Sequence, residues 1–237
     1  DASWQRIDLL SDVHLHAGAP HTFEAWRRHL LHTPADAVLM LGDLFEVWVG
    51  DDARFDGFER ACTEVLRSAS QHRWLGFMHG NRDFLLGEAM CLDAGMTALP
   101  DPTLAQAFGQ RALLSHGDAL CVSDQDYQRF RAEVRGAAWQ QRFLSLPLSQ
   151  RQQQARAMRD ASAQHQAAMA PDQWADVDAP LANEWLSKAG ADVLVHGHTH
   201  RPATHALGDG RVRMVLGDWD FDAEPRRARM LTWTHEG

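Results

Sequence analysis

Carboxylate, amide and imidazole donors recur along this 237-residue chain in five clusters, each closing a short apolar run: Asp12-x-His14, Gly42-Asp43, Gly80-Asn81, His116, and Gly197-His198-Thr199-His200. Oxygen and imidazole donors without thiolate suit divalent cations such as manganese, iron or zinc, and binding order alone does not choose among them. A single histidine at a strand end is most often a hydrogen-bonded structural residue, but five clusters at corresponding places argue for convergence on one site. An aspartate has two oxygens, so Asp43 can bridge two cations about 4 Å apart, the spacing of two-metal hydrolysis. Asp12 with His14, and His198 with His200, are alternate residues, so in extended chain each pair would leave one face together. Each fragment alone has an ordinary reading, helix capping for Asp43 or a plain turn for Asn81. Two divalent cations bring four positive charges against two negative ones from Asp12 and Asp43. The resulting cationic pocket attracts phosphate and acidifies water towards hydroxide near neutral pH.

The elements that must position these donors are short apolar strands, predicted at 7–10, 37–41, 74–78, 112–114, 193–195 and 212–216. Their apolar character is continuous rather than alternating, as in strands covered on both faces. Helices are predicted at about 23–32, 58–70, 84–94 and 181–189, each joining consecutive strands, so the fold class is an α/β sandwich. Residues 123–170 break this alternation: rich in Gln, Ala and Arg, with breaks at Gly136 and Pro147, they read as several helices forming a cap. The expected organisation is a core of 1–122 and 171–237 with a helical cap, 123–170, inserted into it.

Composition narrows the partners. A formal charge of −9 disfavours broad binding to nucleic acid, so an anionic substrate must be attracted locally. Cys62, Cys91 and Cys121 have neither CxxC spacing nor an even number, which argues against a disulfide framework or thiolate zinc site and fits a reducing cytoplasm. No apolar run approaches the ~18 residues of a membrane span, and no export signal is expected from the first residues. Lys188 is the sole lysine among many arginines, whose forked head grips phosphate in two places.

In order, the DxH, GD, GN, H and GHxH clusters resemble the calcineurin-like metallophosphoesterase superfamily, over most of the chain outside the cap. The resemblance implies a four-layer αββα sandwich and two divalent ions, with manganese expected. It assigns Asp12, His14, Asp43 and His200 to one ion and Asp43, Asn81, His116 and His198 to the other, and gives catalytic roles to Asp43, Asn81, Arg82 and His198. The superfamily commonly has a histidine after the asparagine, as acid for a leaving alkoxide; here it is Arg82. Arginine cannot release a proton at working pH, so the leaving group should need no acid. A phosphate leaving a pyrophosphate, with its pKa near ~6, meets that condition, so anhydride cleavage is expected.

The segments Gly42-Asp43-Leu44-Phe45-Glu46-Val47-Trp48, Gly80-Asn81-Arg82-Asp83-Phe84-Leu85, His116-Gly117-Asp118, Asp124-x-x-Tyr127, His198-Thr199-His200-Arg201-Pro202 and Leu216-Gly217-Asp218-Trp219 are similar to the UDP-2,3-diacylglucosamine pyrophosphohydrolase family of lipid A synthesis. That resemblance implies water attack at the α-phosphorus, giving UMP and 2,3-diacylglucosamine 1-phosphate. Substrate contacts are carried over to Asn81, Arg82, Asp124, Tyr127, Ser162 and Trp48, with helix capping as the competing role for Asp124. An acyl cleft would draw on Phe130, Val134, Trp139, Phe143, Leu144, Leu146 and Met158, with Trp48 facing it, although an amphipathic helix buries such residues by default. Gln164 and His165 stand where the family has lysine, leaving Arg156 and Arg159 as substitutes. The expected setting is the cytoplasm, with peripheral contact to the cytoplasmic face of the inner membrane and a monomeric state. Competing readings are another dinuclear metallophosphoesterase acting on nucleotides or dinucleoside polyphosphates, and a non-catalytic scaffold. His79 and His196 are expected to orient ligands; His16, His21, His29, His32, His72, His165 and His205 are read as surface or structural.

Overall fold

Alternation along the strands sets the layers. In β1 (Arg6–Leu10) and β2 (Ala37–Leu41), Ile7, Leu9, Ala37, Leu39 and Leu41 point one way while Leu10, Val38 and Met40 point the other, and all are buried. The second set meets Trp26 and Leu30 of α1 (Pro20–His32) and Cys62, Val65 and Leu66 of α2 (Gly57–Ser70). With β3 (Trp74–Met78) and β4 (Met96–Leu99), which α3 (Glu88–Ala94) connects, these strands form a parallel sheet.

The first set meets a second sheet. It comprises β5 (Thr103–Ala107), β6 (Gln110–Ser115), β7 (Val193–His196), β8 (Thr204–Gly208) and β9 (Arg211–Val215), in the order β5-β6-β7-β9-β8. Strands β6, β7 and β9 are parallel, flanked by antiparallel β5 and β8. β10 (Leu231–Thr234) closes the first sheet, whose order is β10-β1-β2-β3-β4. Ala112, Leu114 and Val195 face the first sheet, whereas Leu113 and Leu194 face Ala182 and Leu186 of a further helix, Ala179–Ala189. The result is the four-layer αββα sandwich, each layer burying an apolar face against the next.

Three helices, α4 (Gln125–Val134), α5 (Ala137–Leu144) and α6 (Leu148–Ala167), fill the segment read as a cap; the helix Ala179–Ala189 is then α7. The structure, a computed structural model, describes residues 3–167 and 175–236 and, within 160–167, the side chain of Gln164 only. Phe143 and Ala155 join the apolar cluster that holds Trp48 and Leu85. Arg151, 3% exposed, ties α6 to the core by donating to Asp52 Oδ1 at 2.9 Å and the carbonyl of Val49, and it also donates to Leu146 O within the cap at 2.9 Å.

Two expectations need correction. The helix expected at 84–94 begins only at Glu88, because Gly80 N and Leu44 N donate to the Asp83 carboxylate and Gly87 N and Met90 N to Asp51, which holds 84–87 in a turn. That helix leads not to the strand at 112–114 but to β4, so it does not join the two strands read as consecutive. β4, β5, β8 and β10 escaped the sequence reading: they are four or five residues long, lie at sheet edges and bury few residues, and β5 and β8 alternate exposed with half-buried positions.

Candidate metal centre

The carboxyl ends of β1, β2 and β3 from one sheet and of β6 and β7 from the other meet above the sheet interface, where backbone bonds tie the loops together. Asp12 N donates to Gly42 O at 3.1 Å, His14 N to Asp43 O at 3.0 Å, Gly197 N to His116 O at 3.0 Å, and Trp219 N to Asp12 O at 3.1 Å. These bonds hold an unusual backbone: Asp12, His14, Asp43, His198 and His200 have φ of 53°, 52°, 52°, 67° and 53°. Non-glycine residues rarely adopt this left-handed region, and its concentration at five donors marks strain kept for a site. Asp12 and His14 do meet, with Nε2 of His14 3.9 Å from Asp12 Oδ1, but not through alternation in extended chain as expected, and the expected pairing of His198 with His200 is corrected. Left-handed kinks aim these side chains, and the two histidines of the second pair diverge.

His200 turns towards Asp12 and His14, with Nε2 3.3 Å from Asp12 Oδ1 and 3.2 Å from His14 Nε2. His198 turns the other way, with Nδ1 2.9 Å from Asn81 Oδ1, an oxygen that also lies 3.0 Å from His116 Nε2. Asp43 lies between these halves: Oδ2 is 4.0 Å from His14 Nε2 and Oδ1 is 3.7 Å from His116 Nε2. Ligand atoms of Asp12, His14 and His200 lie within 4.8 Å of one another, as do those of Asp12, Asp43 and His116. The seven donors predicted from sequence thus come together, with Asp12 common to both groups and Asp43 spanning them.

Two glycines make this approach possible. A Cβ on Gly80 would lie 2.0 Å from Asp43 Oδ1, and one on Gly197 2.2 Å from Asp12 Oδ2. Both carboxylates are nearly sealed from solvent, Asp12 at 0% and Asp43 at 2% exposure. Burial disfavours the Asp12 carboxylate, but the His200 hydrogen bond and the charges of His200, His116 and His14 outweigh it and hold its pKa well below the usual range. Burial lowers the pKa of His116, yet Asp43, Asp12 and Asp118 push it up to about 9. Burial and His116 lower His198 to about 4, which leaves it a neutral imidazole. His116 Nδ1 lies 2.9 Å from Leu41 O, an acceptor, so a proton stays there and Nε2, once its own proton is displaced, is the nitrogen left to face an ion. Buried carboxylates, in-facing imidazole nitrogens and the Asn81 oxygen fit a pair of divalent ions held by these seven residues.

Several contributors went unassigned in the sequence. Glu46 Oε2 lies 3.0 Å from His14 Nδ1, and Glu46 also pairs with Arg159 of α6. Burial raises its pKa, but the His14 hydrogen bond and the charges of His14, Arg82 and Arg159 bring it down to about 2. Buried Asp83 braces the Asp43 and Asn81 loops through its bonds to Leu44 N and Gly80 N. Asp118 collects Tyr127, Arg131 and Arg135 of α4 and its cap. The four-residue spacing of Tyr127, Arg131 and Arg135 is the signal that could have found this set.

Beside Asn81 and Arg82 opens a cavity of about 400 Å³, bordered by Trp48, Phe84, Phe130, Trp139, Phe143 and Met158. Val134, Leu144 and Leu146, also expected there, do not line it: Val134 is buried and Leu144 is 43% exposed. Trp48 lines it while donating Nε1–H to Asp51 Oδ1 at 3.1 Å. Asp124 lines it too, but its carboxylate caps α4 by accepting Tyr127 N at 2.9 Å, and the Tyr127 hydroxyl donates to Asp118 Oδ2 at 2.7 Å. Arg82 lines it, with N donating to Asp43 Oδ1 at 2.8 Å and a buried Nε that has no partner among the described residues. Arg159 is at the cavity, Arg156 is exposed, and the side chains of Ser162 and His165 lie outside the described residues. His79 bonds Leu86 O, and His196 lies 2.8 Å from Gly197 O beside the Gly117 backbone. Of the histidines read as structural, His29 lies 3.4 Å from buried Asp8 and packs on Trp219.

Residues 5–202 match the family model described as Calcineurin-like phosphoesterase. A protein of Chromohalobacter salexigens named UDP-2,3-diacylglucosamine hydrolase is 43% identical over 217 residues, covering 89% of this chain and 87% of its own. Proteins of the same name from Stenotrophomonas maltophilia and Pseudomonas paraeruginosa are 39% identical over 222 residues and 42% over 221. They cover 89% and 90% of this chain and 90% of each relative.

Proposed function

Because the chain belongs to the calcineurin-like phosphoesterase family, we propose that it hydrolyses the pyrophosphate bond of UDP-2,3-diacylglucosamine, giving UMP and 2,3-diacylglucosamine 1-phosphate, as the name shared by its relatives suggests. The observation that carries this reading is the apolar cavity of about 400 Å³ that opens at Asn81 and Arg82 and runs under α4, α5 and α6. Its size falls within the range of ligand pockets, and an acyl chain is the complement of its Trp, Phe and Met walls. Residues 123–170 then act as a lipid-binding cap on a core of 1–122 and 171–237.

In this reading Asp12, His14, Asp43 and His200 hold one divalent ion and Asp43, Asn81, His116 and His198 the other, with manganese the expected metal. When bound, the ions neutralise the phosphate oxygens and acidify the attacking water. The chain's own groups do the rest. Asp43 sets the spacing between the two half-sites through its two oxygens. Arg82 turns a fixed positive charge towards the diphosphate and donates no proton, which suits a phosphate leaving group. The cavity walls exclude water from the lipid half and fix its direction, so the α-phosphorus rests against the donors. Asp124, Tyr127, Trp48 and Ser162 remain proposed substrate contacts, Tyr127 through its ring and Asp124 through the end of α4. Phe130 and Leu144, each 43% exposed, suit resting on the cytoplasmic face of the inner membrane; among the described residues no helix is long and apolar enough to cross one.

Product analysis by mass spectrometry in heavy-oxygen water tests the reaction. Label in UMP is expected. Label in the lipid phosphate, or faster turnover of diadenosine tetraphosphate, would overturn it.

A further inference from the structure

The Asn81 oxygen stands between two imidazoles, and its placement depends on one peptide unit. The Gly80–Asn81 peptide is planar, so whatever holds the Gly80 carbonyl also sets the direction in which Asn81 leaves it. Gly80 is gripped at both ends. Its N–H donates to Asp83 Oδ1 at 2.8 Å, within the same loop, and its carbonyl accepts Arg135 Nη2 at 2.9 Å, from a residue 55 positions away at the C-terminal cap of α4.

Arg135 is itself held in place. Nη2 lies 3.4 Å from Asp118 Oδ2, and the guanidinium sits over the Phe84 ring at 5.9 Å from its centroid. The same Asp118 oxygen accepts the Tyr127 hydroxyl and Arg131 Nε, each at 2.7 Å, while Gln128 Nε2 donates to Asp118 O at 2.8 Å. Asp118 is fully buried and lies two residues after His116. One face of α4 is therefore latched to the loop after β6, and the same latch aims Arg135 at the loop after β3. A charged donor on a peptide carbonyl is among the stronger hydrogen bonds, and at a partly enclosed site it resists exchange with water.

We propose that Arg135 is a positioning residue for Asn81, held on station by Asp118, so that docking of the cap sets the geometry of the half-site formed by Asn81, His116 and His198. The proposal rests on Asn81 being a metal donor and is independent of which diphosphate is cleaved. Cap and metal centre are then one device: a cap that lifts off releases Gly80, and the asparagine oxygen loses its aim.

The test uses Arg135→Met, which keeps the stem and removes the donor, Arg135→Lys, which keeps one donor within reach of the carbonyl, and the exposed Arg129→Ala as control. Manganese binding is followed by calorimetry, and turnover on UDP-2,3-diacylglucosamine and on the lipid-free diester bis-p-nitrophenyl phosphate. The expected result for Arg135→Met is one of the two ions weakened by about 10-fold or more and a matching fall in kcat on both substrates, since loss of an outer partner of a ligand costs ~10–100-fold. KM for the lipid should change little, Arg135→Lys should recover much of the loss, and Arg129→Ala should match the parent. In an Asn81→Ala background, Arg135→Met should add nothing further, because residues that act as a unit are not additive. Additive losses, an effect on lipid KM alone, or unchanged manganese binding would overturn the proposal. Should Arg135→Met fail to fold, Asp118→Asn against the same Asn81→Ala background decides between the same two outcomes. A parent protein that binds manganese and cleaves the diester but not the lipid would sink the substrate reading and leave this one standing.

Discussion

Gly80→Ala makes the smallest change that strikes the centre of the proposed site. An added methyl would sit 2.0 Å from Asp43 Oδ1, 2.3 Å from Asp43 N and 2.8 Å from Asp43 Cγ. Real Cβ contacts essentially never fall below 3.0 Å, so the loops after β2 and β3 must separate by about 1 Å. The obstacle includes backbone, which no rotamer change can move aside. Overpacking of this kind costs roughly 1–3 kcal/mol, and for a chain of this size each kcal/mol lowers Tm by about 2–4 °C. The larger effect falls on chemistry. Asp43 spans the two half-sites, and a displacement of ~1 Å at a reacting centre costs about 10²-fold, equivalent to ~2.7 kcal/mol of barrier. The expected outcome is a folded protein whose Tm is down by several degrees, whose kcat has fallen ~100-fold, and whose manganese stoichiometry is below two per chain by elemental analysis. Parent-like kcat with two tightly held ions would refute the reasoning, because it would mean that Asp43 does not set the spacing or that the loops move without cost.

Three further outcomes are expected. Glu46→Gln removes the charge facing His14 Nδ1 and should weaken manganese binding about 10-fold while lipid KM stays constant, read by calorimetry and steady-state kinetics. In the metal-free protein His116 is pushed up to about 9, so at pH 7 an incoming ion must displace a proton; affinity should rise with pH to about 9 and flatten above it, and titrations in buffers of different ionisation enthalpy should reveal proton release on loading. Ala155→Leu fills part of the cavity from α6, outside the donor set, and should raise lipid KM ~10-fold while leaving cleavage of a lipid-free diester unchanged; equal loss on both substrates would place the acyl chain elsewhere.

Much of this architecture could be read in advance because the decisive signals are local. The runs at 37–41 and 74–78 are apolar on both faces and 7–10 is broken only by Asp8, as suits strands between two layers, and each leads into a donor within three residues. β5 and β8 gave no such signal, since an edge strand with exposed alternate residues resembles any polar loop. Backbone conformation was equally hidden: nothing in the letters Asp-Val-His or His-Thr-His announces φ above 50°, so alternation suggested paired imidazoles where the chain in fact splits them. Asp118, Arg131 and Arg135 were each visible, but a contact between a loop and a helix turn is a property of packing. Glu46 lies within a segment that carries the family resemblance, yet its position beside His14 depends on how the loops after β1 and β2 stack.

The donors are shared between the sheets: Asp12, His14, Asp43 and Asn81 follow strands of the first, His116, His198 and His200 strands of the second. On the proposed ligand set neither half would hold an ion pair by itself, and a growing polypeptide that has not reached His200 lacks part of the set. On that set, metal capture would be a late event in the life of the nascent chain, a clasp that closes after the two halves have met and that reports, by closing, that synthesis has gone far enough.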